Sequence, residues 1–407
     1  MSRIDKLIAE YCPEGVEFKA IGEIAELVRG NGMPKSDFSE SGVGCIHYGQ
    51  IYTYYGIWTT DTISFVPPEK AEKLAKVEPG DLIITNTSEN LEDVCKSVAW
   101  LGGSQIVTGG HATVIKTEQD PKYLSYYFRT PEFFAQKKKQ ATGAKVIDVS
   151  AKNLAKIRIP IPPIEVQREI VKVLDNFTKL EAELEAELEA RRLQYQHYRD
   201  ALLAFGDQDV RWTTMAEVGE FFRGRRFTKN DLNADGLACI HYGDIYTQYG
   251  TATTATVSHV RSDMASTLRF AKHGDLVIAG VGETVEDVGK AVAWLGDGEV
   301  AIHDDCFAFR HSLNPKFVSY YFQTAAFHAE KNKFVARAKV KRLSAENLGK
   351  LAIPVPPPDE QERIVAILDK FDALVNDLSG GLPAEITARR KQYEHYRNRL
   401  LTFEVSA

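Results

Sequence analysis

Cysteine is scarce in this 407-residue chain and forms no pattern: five residues, none in a Cys-x-x-Cys spacing. An odd, unspaced set argues against a disulfide scaffold or a zinc ribbon and fits reduced thiols. For Cys45 and Cys239, apolar packing is the expected role rather than reactivity. Long apolar runs are missing too, and none approaches the ~20 residues of a membrane span. The opening MSRIDKLIAEYCPEG sets charges among its apolar positions and does not read as a signal peptide. A cytoplasmic protein is therefore expected. An excess of positive charge is also lacking, since 50 Lys and Arg stand against 56 Asp and Glu, a net charge of −6. The total hides a division. Residues 16–164 carry 17 basic and 17 acidic groups, residues 210–358 carry 18 and 16, and residues 165–205 carry 6 and 9. The acid concentrates in one segment, and a phosphate-binding surface needs only a local basic face.

What the chain does have is a repeat. CIHYGQIYTYYG at 45–56 returns as CIHYGDIYTQYG at 239–250, an offset of 194 residues. The same offset aligns Arg29-Gly30 with Arg223-Gly224, GDLII (80–84) with GDLVI (274–278), AWLG (99–102) with AWLG (293–296), SYYF (125–128) with SYYF (319–322), and IPIPP (159–163) with IPVPP (353–357). A period this long is a duplicated domain, not a solenoid unit. Each copy holds short β-type runs punctuated by Gly and Pro, with helical stretches expected at 121–140 and 315–334. A Pro-rich, extended hinge follows, and then a long helix.

The first long helix is expected over Glu165–Phe205, ~60 Å if straight. Val173, Phe177, Leu180 and Leu184 give a 4-3-4 coiled-coil stripe that resumes, after a stutter, at Tyr195, Tyr198, Leu202 and Phe205. The second helix repeats this with Ile367, Phe371, Leu374 and Leu378, then Tyr393, Tyr396, Leu400 and Phe403. SGGLP (379–383) should break it. RRLQYQHYR (191–199) and RRKQYEHYR (389–397) align at an offset of 198, so the second copy carries four extra residues, about one helical turn. Residues 3–11 align with 197–205 and read as a detached helix end. The expected fold is α+β: two similar mixed α/β domains separated by two long antiparallel coiled-coil helices, a cyclic repeat with a pseudo-two-fold axis. The expected segments are 1–15, 16–158, 159–209, 210–352 and 353–407.

Two similar domains, helices opened by PPIEVQREIVKVLDNF and PPPDEQERIVAILDKF, and the RRxQYxHYR closings together resemble the specificity subunit of Type I restriction–modification enzymes, over essentially the whole chain. The resemblance implies two target recognition domains, each reading half of a split DNA sequence, with the coiled coil setting the spacer. It implies a non-catalytic subunit that positions two adenine methyltransferase subunits and docks helicase-nuclease restriction subunits. No cofactor is then expected in this chain; S-adenosylmethionine, ATP and Mg belong to the partners. The residues agree. The Pro pairs in IPPIE and VPPPD lack the amide or carboxylate that precedes Pro-Pro in an adenine-holding loop. GVGET (280–284) has no glycine in its counterpart NTSEN (86–90), and no Walker lysine follows. His111, Asp304 and Asp305 lack a second His or Cys at ligand spacing in both copies, so no metal is expected. The alternative is a duplicated ligand- or protein-binding module on a coiled-coil spacer, without nucleic acid.

Groups that read bases should differ between the copies, whereas groups that hold phosphates can stay the same. By that rule His47/His241, Tyr48/Tyr242 and Tyr52/Tyr246 are framework or DNA-backbone contacts. Gln50/Asp244 and Tyr54/Gln248 are candidates for base edges, Gln with adenine and Asp with cytosine N4; the plainer reading is solvent exposure. Around Arg29 and Arg223, Asn31-Gly32 gives way to Arg225-Arg226, followed by Lys35 or Lys229. A second loop offers Ser88 and Asn90 against Thr284. A third offers Lys145 against Arg337, Lys339, Lys341 and Arg342. Lys137, Lys138 and Lys139, with Lys331 and Lys333, form a phosphate-facing helix edge or a solvated face. Partner surface is expected on Glu165, Gln167, Arg168, Gln361 and Arg363 at the helix openings and on Arg191, Arg192, Arg389 and Arg390 at the closings; the plainer reading is packing within the chain's own coiled coil.

Overall fold

The computed structural model describes residues 3–206, 210–336 and 339–404. The chain divides into two compact units, Met1–Glu183 with Thr387–Ala407, and Leu184–Ile386. Each unit therefore owns one copy of the repeated domain, the opening of one long helix and the closing of the other.

Both domains have the same sheets in the same order. In the first, a five-stranded sheet runs Ala25–Arg29, Ala112–Thr117, Leu82–Thr85, Ser97–Trp100, Trp58–Thr59. A four-stranded sheet runs Ser64–Val66, Val43–Ile46, Ile106–Thr108, Ala75–Val77. The second domain repeats them as Gly219–Arg223, Cys306–His311, Leu276–Ala279, Ala291–Trp294, Ala252–Thr253 and as Ser258–Val260, Leu232–Ile240, Val300–Ile302, Phe270–Ala271. The apolar runs GDLII and GDLVI supply the middle strand of the larger sheet, buried along its whole length in both domains. Cys45 and Cys239 are fully buried. Burial pushes their thiols up to about 11 and about 12, which makes them inert packing groups.

The helical stretches expected at 121–140 and 315–334 each hold two helices: Pro121–Tyr127 then Pro131–Gln140, and Pro315–Tyr321 then Ala325–Asn332. Thr130 and Thr324 cause the division, since their side chains cap the second helix by accepting from Phe133 N and Phe327 N.

The first long helix spans Ile164–Leu202, 39 residues. The second is broken into Pro358–Asn376 and Leu382–Leu401. Gly381 marks the break: a Cβ there would lie 2.5 Å from Ala373 O and 2.7 Å from Leu374 O. Leu374 and Leu378 do not continue the expected stripe. They are 39% and 82% exposed, and Val375 is buried in their place, because the helix ends at Asn376 and Asp377 is extended. In unit 1 Phe177 stacks on Tyr396 at 5.4 Å; in unit 2 Phe371 stacks on Tyr198 at 5.3 Å. Each pair joins the early part of one long helix to the late part of the other, so the two run antiparallel.

A second stripe lies on the helix openings. Val166, Ile170 and Leu174 are fully buried against Tyr123, Tyr127 and Phe133. Ile364 and Leu368 do the same against Phe317, Tyr321 and Phe327. Each such side chain contributes ~1.5–3 kcal/mol. The N-terminal helix Arg3–Tyr11 packs into unit 1, with Ile4 buried in the cluster that holds Leu401. Val16 N donates to Glu404 O at 2.9 Å, so the two ends of the chain meet there. Among the described residues, no helix is long and apolar enough to cross a membrane.

Candidate nucleic-acid interface

The Arg-Gly pairs are placed by a close backbone crossing. A Cβ at Gly30 would lie 1.9 Å from Gly109 O, and one at Gly224 2.2 Å from His303 O. Only glycine fits. The strand end bearing Arg29 or Arg223 is thereby pressed against the turn at 109–111 or 303–305.

The helix within HYGxIYTxYG spans Tyr48–Thr53 and Tyr242–Thr247. His47 and His241 cap it, accepting through Nδ1 from Gly49 N and Gly243 N, each at 3.1 Å. Burial lowers both imidazole pKa values, so both rings are neutral at pH 7, with Nε2 carrying the proton. Tyr48 packs between His47 and His111, with ring centroids at 4.4 and 5.0 Å. Tyr242 lies 4.3 Å from His241, which lies 4.5 Å from His303.

Several expected contacts are corrected by this geometry. Gln50 Oε1 accepts from His47 N at 2.9 Å, and its Nε2 donates to Ser64 Oγ at 2.6 Å. Both ends of that amide are engaged within the domain, and Gln50 serves as a capping group. Asp244 does the same job, its Oδ2 accepting from His241 N at 3.2 Å. The changed polar residue in the repeated stretch is thus one cap exchanged for another. Tyr52 and Tyr246 donate their hydroxyls to Thr87 O and Val281 O and are framework; burial raises both phenols, Tyr52 to about 12.

In the second loop, Asn90 Oδ1 accepts from Asp93 N and its Nδ2 donates to Asp93 Oδ2, both at 2.8 Å. Thr284 Oγ1 donates to Asp287 Oδ2 at 2.8 Å and accepts from Asp287 N at 3.1 Å. Asn90 and Thr284 are equivalent turn locks, and Ser88 Oγ accepts from Asn90 N at 3.4 Å. Lys137 and Lys331 are not on a phosphate-facing edge. They are 4% and 0% exposed. Lys137 Nζ donates to Val94 O at 2.6 Å and Lys331 Nζ to Val288 O at 2.7 Å, gripping the same loop from inside. Burial pushes the Lys331 amine down to about 8. Lys138 and Lys139 are exposed, and Lys333 pairs with Glu330.

Arg29, Asn31, Lys35, Tyr54 and Lys145 in the first domain are exposed, as are Arg223, Arg225, Arg226, Lys229, Gln248 and Lys339 in the second. Asn31 Nδ2 donates to Lys73 O at 2.8 Å. Lys341 is half-buried, and Arg337 lies outside the described residues. In the second domain Arg226, Lys229, His241, Tyr242 and Asp244 converge on one cavity of about 580 Å³. His303, Asp304 and Asp305 lie there too, with donor atoms within 4.8 Å of one another. His303 Nδ1 accepts from Asp305 N and its Nε2 donates to Phe227 O. Asp304 Oδ1 lies 3.2 Å from His303 Nε2, and both carboxylates face guanidinium groups at 3.8–4.0 Å.

Gln167 and Gln361, expected on a partner surface, are buried clamps. Gln167 accepts from Asp120 N at 3.0 Å and donates to Pro162 O at 2.7 Å; Gln361 accepts from Asn314 N at 2.7 Å and donates to Pro356 O at 2.8 Å. Beside each lies a second anchor that sequence reasoning missed. Asp175 accepts from Lys122 Nζ at 2.7 Å and from Tyr126 Oη at 2.8 Å. Asp369 accepts from Lys316 at 2.8 Å and Tyr320 at 2.7 Å. The signal was present, since all three residues recur at the 194-residue offset. Glu165, Arg168 and Arg192 are exposed. Arg363 pairs with Glu360, Arg191 with Glu187 and Arg390 with Glu181. Arg389 donates to Gln392.

The family described as the Type I restriction modification DNA specificity domain matches twice, over residues 13–190 and 209–388. The chain belongs to this family. Its Gln and Asp anchors lie inside both matched segments. The chain is 30% identical over 404 residues to a putative type I restriction enzyme specificity subunit of Haemophilus influenzae, covering 95% of this chain and 96% of the relative. It is 30% identical over 291 residues to the EcoR124I/EcoR124II specificity subunit of Escherichia coli, covering 69% and 70%. Among solved structures, a chain from a study of complex assembly and conformational transition of the type I R-M system shares the fold, with a TM-score of 0.66 at 18% identity over 96% of this chain and 98% of that one. The S subunit from M. genitalium follows at 0.51 and 13% identity, covering 95% and 96%. This specificity-domain protein is a DNA sequence-recognition subunit of a Type I restriction–modification system. The alternative of a binding module without nucleic acid is not favoured. Members of this family are generally non-catalytic, and their partners are DNA and the methyltransferase and restriction subunits.

Proposed function

We propose that each recognition domain reads one half of a bipartite duplex target and that the long helices set the distance between the halves. One observation carries this reading: the same Gln clamp and Lys-Tyr-Asp anchor fasten each domain to its own helix opening. A domain pinned at several points to a helix has its orientation fixed by that helix. Catalysis then lies in the partners: two adenine methyltransferase subunits using S-adenosylmethionine, and helicase-nuclease subunits using ATP and Mg. This chain needs no cofactor, and the complex works in the cytoplasm, on the cell's own DNA. Exposed arginines and lysines on each domain supply phosphate contacts, so affinity should fall steeply with salt.

The test is methylation mapping by long-read sequencing in cells carrying this chain with its methyltransferase. A split motif with a fixed gap is expected, together with a log-log salt slope of several units for the purified complex on that motif. An unsplit motif would refute the two-domain reading. A flat salt response would refute the electrostatic one.

A further inference from the structure

The turn at 303–305 stands between two adjoining cavities of the second domain, of about 580 and about 290 Å³, and Arg223, Asp304, Asp305 and Arg342 border both. Arg223 Nε donates to Asp304 O, which holds the guanidinium against the turn. Its Nη2 lies 4.0 Å from Asp304 Oδ2 and 4.0 Å from Asp305 Oδ1, while Arg342 Nη1 lies 3.8 Å from Asp305 Oδ1. These separations exceed hydrogen-bond length, so the carboxylates steady the guanidinium groups without consuming their N–H donors. All four side chains keep solvent access, 53% for Arg223, 60% for Arg342, 31% for Asp304 and 26% for Asp305.

Carboxylates on a surface that meets a polyanion weaken binding unless they accept from a donor on the DNA. In the major groove such donors are the amino groups of cytosine and adenine. A guanidinium beside a carboxylate also matches the two edges of one G·C pair: guanine offers O6 and N7 as acceptors, and cytosine offers N4–H beside them. The first domain has no such couple. The aligned positions hold Gly109, Gly110 and His111 at the turn and Asp148 in place of Arg342. We propose that Arg223, with Asp304 and Asp305, reads a G·C base pair of the second half-site, and that the first domain has no counterpart to this contact. The inference rests on the recognition of DNA by each domain and names which side chains select a base.

The experiment uses the full chain in complex with its methyltransferase subunits and a duplex library randomised across both half-sites. Asp304→Asn with Asp305→Asn keeps the shape and replaces acceptor-only groups by ones that also donate. Arg223→Lys keeps the charge and removes the fork. Each variant should lose about tenfold or more of its G·C preference at one shared position of the second half-site, with every other position and the whole first half-site unchanged. Preference for the unaltered positions separates this proposal from DNA recognition itself. The proposal is overturned if all preferences stay within twofold of the parent. It is equally overturned if the second half-site weakens evenly at every position, the mark of a phosphate contact, or if both half-sites fail together, the mark of a folding defect.

Discussion

At positions related by the 194-residue offset, the first domain presents Arg29, Lys35 and Lys145, with Asp148 where the second has Arg342. The second presents Arg223, Arg225, Arg226, Lys229, Lys339, Lys341 and Arg342, with Asp304 and Asp305 among them. The strand order, the capping histidines and the anchors to the long helices are nevertheless the same in both. The duplication kept what holds a domain in place and changed the charge of what it presents. One docking geometry with two electrostatic faces predicts two half-sites of unlike sequence and unlike sensitivity to salt.

The largest effect should come from removing an asymmetry that belongs to the helices. Deleting residues 379–382 takes out the break and gives both copies one offset. A helical turn is ~5.4 Å against ~3.4 Å per base pair, so binding to the original target should fall by a hundredfold or more and recover when the DNA gap is changed by one to two base pairs. Gel-shift assays on a set of spacer lengths read this directly; an unmoved optimum would mean that the helices are not the ruler. Next in size, Arg225→Ala with Arg226→Ala should cost ~1–3 kcal/mol for each lost contact at the second half-site and flatten the salt slope by about two units. The first half-site should be untouched. Loss of both halves would make this loop a folding element.

A third contrast is in acid stability. Unit 2 holds His311 and His328, whose pKa values burial lowers to about 4; the aligned residues in unit 1 are Thr117 and Phe134. Between about pH 6.5 and 4 these rings stay neutral when folded and take up protons when unfolded. Stability therefore falls as pH drops through that window, on the order of 1–3 kcal/mol per histidine. Hydrogen exchange of the full chain should show Pro315–Asn332 losing protection before Pro121–Gln140. Equal loss, or the reverse order, would break the comparison. The smallest effect concerns the caps. Gln50→Ala and Asp244→Ala should each lower local stability by ~1 kcal/mol while base preference at either half-site stays the same. A changed preference would return these residues to the reading surface.

The duplication, the break at Gly381 and the long helices were legible in the sequence because they rest on period, offset and backbone rules that act locally. The recognition face was less so. The rule that changed residues read bases did not foresee that Gln50/Asp244 and Asn90/Thr284 hold turns, because two different side chains can lock the same turn. The reading of Lys137 and Lys331 as a phosphate-facing or solvated edge failed for a different reason: a charge run looks solvated until tertiary packing folds one of its members inward onto carbonyl groups. The opening Gln of each long helix looked like partner surface because its acceptor and donor are backbone groups up to 47 residues away, which no local pattern reveals.

The anchors also bear on how such a chain can change over generations. Gln167, Lys122, Tyr126 and Asp175 fix one domain to its helix, and Gln361, Lys316, Tyr320 and Asp369 fix the other; none lies in the loops of charged and polar difference. Mutation in those loops can therefore wander without loosening the mounting, as long as the domain keeps the Lys and Tyr that meet the Asp on its helix. The face a domain presents can change in this way while the fastening that orients it stays as it is.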